Sequence, residues 1–246
     1  MHLRFLGTTG YHPTDHRQTA CLMLPEIGVV LDAGTGMFRV GRFLETSTLD
    51  IFLTHSHLDH VIGLTYLFSV LAGHKHVAVR VHGQADKLQA IRDHLFATPI
   101  FPAMPSMTWQ PLTEDVSLQS NGRLTWFPLD HPGGSVGYRL DWADRSMAYV
   151  TDTTADLQAE YADRIRGVDL LVHECYFADG AEALAQSTGH SCATPVAQVA
   201  RAAGVRRLML VHIDPTADSP DPVGLEQMRA IFPQTEMARD GQAIDF

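Results

Sequence analysis

Thr54-His55-Ser56-His57-Leu58-Asp59-His60 is the stretch on which the reading of this chain turns. It follows a short apolar run, Asp50 to Leu53, with the composition of a strand. It precedes Val61-Ile62, Leu64, Tyr66-Leu67-Phe68 and Val70-Leu71, apolar on nearly every face, which predicts a helix buried between layers. In extended backbone the period of two puts His55 and His57 on one side. Asp59 and His60 then fall at a helix start and can face a second point nearby. Neutral imidazole with carboxylate is a zinc-type ligand set, and four such side chains within His55 to His60 can hold two metals. As a chance polar loop they would cost desolvation beside an apolar helix without compensation.

Upstream, His2 to Leu6, Ala20 to Leu24 and Ile27 to Leu31 read as strands, with Pro25-Glu26 between the last two at hairpin spacing. Downstream, Val77 to Val81 is a strand, and Leu88, Ile91 and Leu95 mark an amphipathic helix. Thr98 to Pro105 holds Pro99, Pro102 and Pro105 with Phe101 and Met104. It can be neither helix nor central strand and is read as a loop that could form one wall of a pocket. Strands resume at Leu124 to Phe127, Val136 to Leu140 and Met147 to Val150. The last third runs strand Leu170 to Val172, a helix from about Pro195, strand Leu208 to Val211 and a helix near Val223 to Ile231. The first of these helices has Thr194 as its expected N-cap, Pro195 at its first position and Gly204 just past its end. Strands then helix, twice over, predict two sheets packed inside helical layers.

The chain has 246 residues, 18 Lys+Arg against 28 Asp+Glu and a formal net charge of −10. No local basic cluster offsets that charge, which disfavours a nucleic acid as default partner. A hydrophobic content of 45% with 19% charged residues is that of a globular chain, not a disordered or fibrous one. No apolar run approaches the roughly 20 residues of a membrane span, and Met1 to Gly7 lacks the pattern of a signal peptide, so the expected location is cytoplasmic. Cys21, Cys175 and Cys192 show no C-x-x-C spacing and read as small buried apolar residues. The unusual count is histidine, at 14.

Further candidates stand where strands end: Asp32 in Leu31-Asp32-Ala33-Gly34, His131 in Asp130-His131-Pro132-Gly133-Gly134, Asp152 after Val150-Thr151, His190 in Gly189-His190-Ser191, and His212 after Val211. Each alone is a weak signal. Their order along the chain, Asp32, His55-x-His57-x-Asp59-His60, His131, Asp152, His212, resembles the metallo-β-lactamase-fold hydrolase superfamily over nearly the whole length. Phe5-Leu6-Gly7-Thr8 and Gly189-His190-Ser191 look like the ribonuclease Z and phosphodiesterase branch.

The resemblance implies an α+β fold, a single αββα four-layer domain over 1–246, with the site at one edge of the sheets. It implies that His55, His57 and His131 hold one divalent metal, that Asp59, His60 and His212 hold the other, and that Asp152 bridges them. Two metals would lower the pKa of a shared, bridging water and stabilise attacking and leaving oxygens. Asp59 would orient that water or take its proton, and Asp32 would accept an imidazole N–H and fix a ligand tautomer. His190 would contact the scissile phosphate and protonate the leaving oxygen, a role suited to imidazole. Zinc leads by affinity order, with manganese or iron where availability overrides it.

The pattern also departs from ribonuclease Z. Tyr11-His12-Pro13-Thr14-Asp15-His16-Arg17-Gln18 stands where that family carries Pro-x-Lys-x-Arg-Asn, and only Pro13 and Arg17 fit. The stretch from His131 to Asp152 is too short for the arm that grips transfer RNA. The expected activity is therefore hydrolysis of a small nucleotide-like or cyclic phosphodiester, with tRNA disfavoured. The alternative is a lactone, thioester or β-lactam carbonyl, for which Tyr11, Tyr138 or Tyr176 could stabilise the oxyanion. Arg17 is the best basic candidate to pair a phosphate, and His12 and His16 lie in the same loop. Gly133-Gly134 reads either as a tight turn or as a pocket lining. His74, His76, His82 and His94 are read as surface or internally satisfied residues, and a homodimer is implied by resemblance alone.

Overall fold

A computed structural model describes residues 1–74 and 76–246. The strands are β1 (His2–Gly7), β2 (Cys21–Leu24), β3 (Val29–Leu31), β4 (Thr48–Phe52), β5 (Ala78–Gly83), β6 (Thr108–Pro111) and β7 (Val116–Leu118). They continue with β8 (Gly122–Leu129), β9 (Ser135–Asp141), β10 (Ser146–Val150), β11 (Leu170–Glu174), β12 (Arg207–Val211), β13 (Thr235–Met237) and β14 (Ala243–Asp245). The chain divides into two compact units, Met1–Glu114 with Arg239–Asp245, and Asp115–Ala238 with Phe246.

The first unit holds a seven-stranded sheet among the described residues, in the order β14-β1-β2-β3-β4-β5-β6. Pairing is antiparallel from β14 to β3 and parallel from β3 to β6. Val30, Ile51 and Val81 from neighbouring strands pack with Leu64, Leu67, Leu88 and Ile91 in its core. The second unit repeats the scheme, β13-β12-β11-β10-β9-β8-β7, parallel from β13 to β10 and antiparallel beyond. Its core joins Ala148, Leu171 and Leu208 to Val196, Ala200 and Met228. Parallel strands need crossover helices, and those helices supply the apolar side chains that bury the sheet.

Four of the candidate groups follow strands of parallel pairs, whereas His131 follows the antiparallel strand β8 and His190, expected at a strand end, follows the helix Glu182–Thr188. Asp32 follows β3, His55 follows β4, Asp152 follows β10 and His212 follows β12. The carboxyl ends of parallel strands are where open α/β sheets gather ligand sites, because loops there converge while the sheet holds their bases fixed.

Three local expectations are corrected. The helix expected from Val61 is broken into α1 (Leu58–Val61), a 3₁₀ segment Ile62–Tyr66 and α2 (Leu67–Val70), and Phe68 and Ser69 are exposed. The break lies where the Gly63 amide donates to the Ala33 carbonyl at 2.7 Å instead of continuing a helical ladder. Ile27 belongs to a 3₁₀ turn, Pro25–Ile27, closed by Gly28 with φ of 64°, so β3 starts at Val29. Thr194 does not cap its helix. The helix begins at Ala193, and Asp179 accepts from both the Thr194 amide (2.9 Å) and the Thr194 hydroxyl (2.6 Å). Gly204, with φ of 64°, ends that helix as expected. The short edge strands β6, β7, β13 and β14 carry too little apolar period to be read from sequence.

Candidate functional site

In the first unit the motif segment is organised from beneath by Asp32. This carboxylate is fully buried and accepts from the Thr54 amide (2.8 Å), the Thr54 hydroxyl (3.0 Å) and Nδ1 of His60 (2.9 Å). The Thr54 hydroxyl also meets Nδ1 of His55 at 3.0 Å. Asp32 therefore does what a carboxylate behind a ligating imidazole does: it fixes the ring and leaves Nε2 to face outward. The His55 ring lies 4.4 Å from that of His57 and 4.3 Å from that of His60, centroid to centroid. Nε2 of His60 stands 3.4 Å from Oδ2 of Asp59. Asp59 is held from above, its Oδ2 accepting the Tyr11 amide at 2.8 Å.

In the second unit His131, Asp152, His190 and His212 come together. The two oxygens of buried Asp152 face two imidazoles, Oδ1 at 3.4 Å from Nε2 of His212 and Oδ2 at 3.6 Å from Nε2 of His131. Asp152 Oδ1 also accepts the Thr151 hydroxyl at 2.7 Å. Nδ1 of His131 donates to the Gly189 carbonyl at 2.9 Å, which again leaves Nε2 toward the carboxylate. Asp152, His190 and His212 offer ligand atoms that all lie within 4.8 Å of one another.

These separations test whether the residues fit a metal. A charge-assisted N–H···O⁻ bond is about 2.7–2.9 Å long, and the imidazole-to-carboxylate distances of 3.4 and 3.6 Å exceed it. Two ligands each about 2.0–2.2 Å from one tetrahedral ion stand roughly 3.3–3.6 Å apart, which is the spacing found. The donors are neutral nitrogens and carboxylate oxygens, and those tautomers with a carboxylate, hydroxyl or carbonyl partner present Nε2. The donor set fits divalent metal.

The backbone is strained at these positions. Among the described non-glycine residues Tyr11 (φ 59°), Asp32 (59°), Asp152 (55°) and His212 (55°) adopt left-handed conformations. Such residues cost on the order of 1–3 kcal/mol each and collect at functional sites. At Asp32 and His212 the reversal follows the strand end directly, and at Asp152 it comes one residue later.

Sequence reasoning missed two residues, His173 and Glu174. Glu174, fully buried at the end of β11, accepts from the Thr153 amide (2.8 Å), from Nδ1 of His190 (3.1 Å) and from the Ser191 amide (3.1 Å). His173 donates from Nδ1 to the Glu174 carbonyl (2.7 Å) and accepts the Tyr161 hydroxyl at Nε2 (3.1 Å). Burial pushes the His173 pKa down and the Tyr161 pKa up. The signal was present: a carboxylate ending the apolar run Leu170-Leu171-Val172 mirrors Asp32 after Leu31.

Other candidates fall outside the cluster. The Arg17 guanidinium donates to the Thr8 hydroxyl at 2.5 Å and lies in the field of Asp240, with burial pushing its pKa down, so its charge is engaged within the first unit. His12 bonds the Pro13 carbonyl, His74 the Gly41 carbonyl, and buried His82 the Asp50 carboxylate at 2.7 Å. Tyr138 is wholly buried, whereas Tyr176 stacks on His190 with centroids 4.8 Å apart and meets His212 at 5.7 Å. Gly133 and Gly134, with φ of 86° and 82°, form a tight turn closed by the Gly134 amide on the His131 carbonyl. All three cysteines are buried, and burial raises the Cys192 thiol to about 11.

Imidazoles and carboxylates at the carboxyl ends of parallel strands, in a chain of two mixed sheets, define a metal-dependent hydrolase of ester bonds. A family model described as a beta-lactamase superfamily domain matches residues 28–213, and the chain belongs to that family. It is 29% identical to a ribonuclease Z of Gemmatimonas aurantiaca, in an alignment of 309 positions covering 99% of this chain and 95% of the relative. An alignment of that length over a chain of 246 residues requires insertions in the relative. Among solved structures it is similar to the metallo-β-lactamase-fold protein YhfI of Bacillus subtilis (TM-score 0.80, 16% identity, 99% of this chain and 98% of that one). A diphosphatase of the PhnP family superposes with a TM-score of 0.73 at 18% identity, over 100% and 97% of the two chains. The α+β class and the metallo-β-lactamase fold expected from sequence are thereby shown, and the fold implies divalent metal. Among the described residues no helix is long and apolar enough to cross a membrane.

Proposed function

We propose that the chain is a dinuclear phosphodiesterase acting on a small nucleotide-like or cyclic phosphodiester. His55, His57 and His131 would hold one ion, Asp59, His60 and His212 the other, and Asp152 both, zinc being the leading candidate. The observation that carries the reading is Asp152: a buried carboxylate whose two oxygens each face an imidazole Nε2, at 3.4 and 3.6 Å, longer than a charge-assisted hydrogen bond. When bound, the metals supply positive charge and lower the pKa of water at neutral pH. Asp59, steadied by the Tyr11 amide, orients the attacking water and takes its proton as the oxygen bonds to phosphorus. His190, aligned by Glu174, gives a proton to the departing oxygen, so that one water is consumed and an acyclic diester yields an alcohol and a phosphomonoester, a cyclic one a single phosphomonoester bearing the new hydroxyl.

The net charge of −10, the displaced Pro-x-Lys-x-Arg-Asn pattern and the insertions carried by the ribonuclease Z relative favour a small substrate over tRNA. A nuclease reading remains the rival because of that relative's name, and a carbonyl ester, thioester or lactam is the second because the fold hosts several reactions. The chain is read as one domain over 1–246, cytoplasmic, and homodimeric by resemblance.

The test is hydrolysis of bis(p-nitrophenyl) phosphate at known metal content, before and after chelation, with zinc or manganese restored. Turnover that leaves and returns with the metal supports the reading. Absence of turnover at two metals per chain, with cleavage of lactones, thioesters or precursor tRNA instead, sinks it.

A further inference from the structure

A cavity of about 420 Å³ opens beside the motif segment in the first unit. Ser56 and Leu58, the two residues that flank His57, form part of its wall, and Ile62, Ile91, Leu95 and Ile100 make the rest almost wholly apolar. Two features show that it is more than a packing gap. The helix Ala85–Ala90 does not continue regularly: Ile91–Leu95 is a π-helical turn, closed by the Phe96 amide on the Ile91 carbonyl at 3.2 Å. Three of its five residues, Ile91, His94 and Leu95, line the cavity. A π turn is rare and recurs at functional sites, and here it swings those side chains to one side.

The second feature is exposure. Leu58 and Ile100 are 66% and 69% exposed although both are large aliphatic residues. Ile100 is the residue that the proline-rich stretch 98–105 contributes to the lining. Aliphatic side chains left open around a concave space are retained where a ligand covers them.

We infer that this cavity binds an apolar substituent of the substrate, the alkyl or aryl group of the ester that is not displaced, so that the preferred substrates are mixed diesters with one hydrophobic arm. The inference rests on the phosphodiesterase reading and names the substrate class of that site. The size commits it to a small group: about 420 Å³ lies within the range of small-molecule pockets. Ser56 and His94 are the polar members of the wall, too few to select a charged group.

The test is a series of alkyl p-nitrophenyl phosphodiesters from methyl to hexyl, which share one leaving group. For the metal-loaded protein kcat/KM should rise roughly twofold to fourfold per added methylene until the cavity is filled. The hexyl-to-methyl ratio should fall by roughly tenfold in Ile100→Ser, which removes an exposed wall, and in Ala90→Phe, which fills the space. A flat series, or a ratio unchanged in both variants, overturns the inference. Ligand-observed NMR of hexyl methyl phosphate against dimethyl phosphate, with metal chelated, separates this result from failure of the phosphodiesterase reading. If no diester is turned over but the hexyl compound still binds preferentially to wild type and not to Ala90→Phe, the pocket stands and the activity assignment falls. If sedimentation shows that the variants dissociate a dimer while the chain-length ratio is unchanged, the cavity belongs to an interface between copies and the inference is wrong.

Discussion

Buried Glu174 and part-buried His190 form a carboxylate–imidazole pair, Oε1 to Nδ1 at 3.1 Å, and the same carboxylate accepts the amides of Thr153 and Ser191. One side chain thereby ties the loop after β10 to the segment bearing His190. Glu174→Gln keeps the shape but points an NH₂ group at a donor whichever way the amide turns. Unfolding free energy should fall by about 1–3 kcal/mol and turnover by roughly tenfold to hundredfold. Comparing leaving groups isolates the role of His190: alkyl leaving groups, which need the proton, should suffer far more than p-nitrophenolate, in both Glu174→Gln and His190→Ala. Equal losses on both would show that the pair is structural.

Asp32 accepts from the Thr54 amide, the Thr54 hydroxyl and Nδ1 of His60. Asp32→Asn should therefore weaken metal binding by about 10- to 100-fold and leave the far-UV spectrum unchanged. Competition with a coloured chelator measures it.

Asp59→Asn and His131→Ala probe the ligand assignment directly. Each should abolish metal-dependent turnover, with metal content per chain reduced in His131→Ala when measured by mass spectrometry. Near wild-type rates at full metal content would remove these residues from the site.

Gly189 has φ of 72°, and a Cβ there would stand 2.9 Å from Nδ1 of His131 and closer still to Pro132. Gly189→Ala adds left-handed strain of roughly 1 kcal/mol or more and pushes the imidazole that its own carbonyl holds. Lower metal affinity together with a lower melting temperature is expected, whereas a purely thermal effect would separate the turn from the site.

His173 is buried and its pKa is pushed below 6.5 by desolvation. The folded state therefore resists a proton that the unfolded chain accepts below about pH 6.5. Stability from this residue is fully present above that value and is lost as pH falls from there toward the folded pKa. Tyr161→Phe removes the hydroxyl that satisfies Nε2 and should cost about 1–3 kcal/mol. Denaturant titrations between pH 5 and 8 give both numbers, and a flat profile in His173→Gln would confirm the source.

The sequence alone determined the class of the protein, because side chains able to ligate metal stand in a telling order along the chain: His55, His57, Asp59, His60, His131, Asp152, His212. Apolar runs likewise located the central strands, whose burial on both faces leaves little polar residue in them. Tertiary structure decided what depends on convergence. Glu174 carried no role in the sequence until the fold brought three donors to its oxygens, and Arg17, a candidate to pair a phosphate, is engaged by Thr8 with Asp240 near. The broken helix after Asp59, the π turn at Ile91–Leu95 and the cap of Thr194 by Asp179 are likewise set by partners far away in sequence or by register irregularities. Periodicity records which face of an element is apolar, whereas a hydrogen bond to a distant carboxylate leaves no period to read.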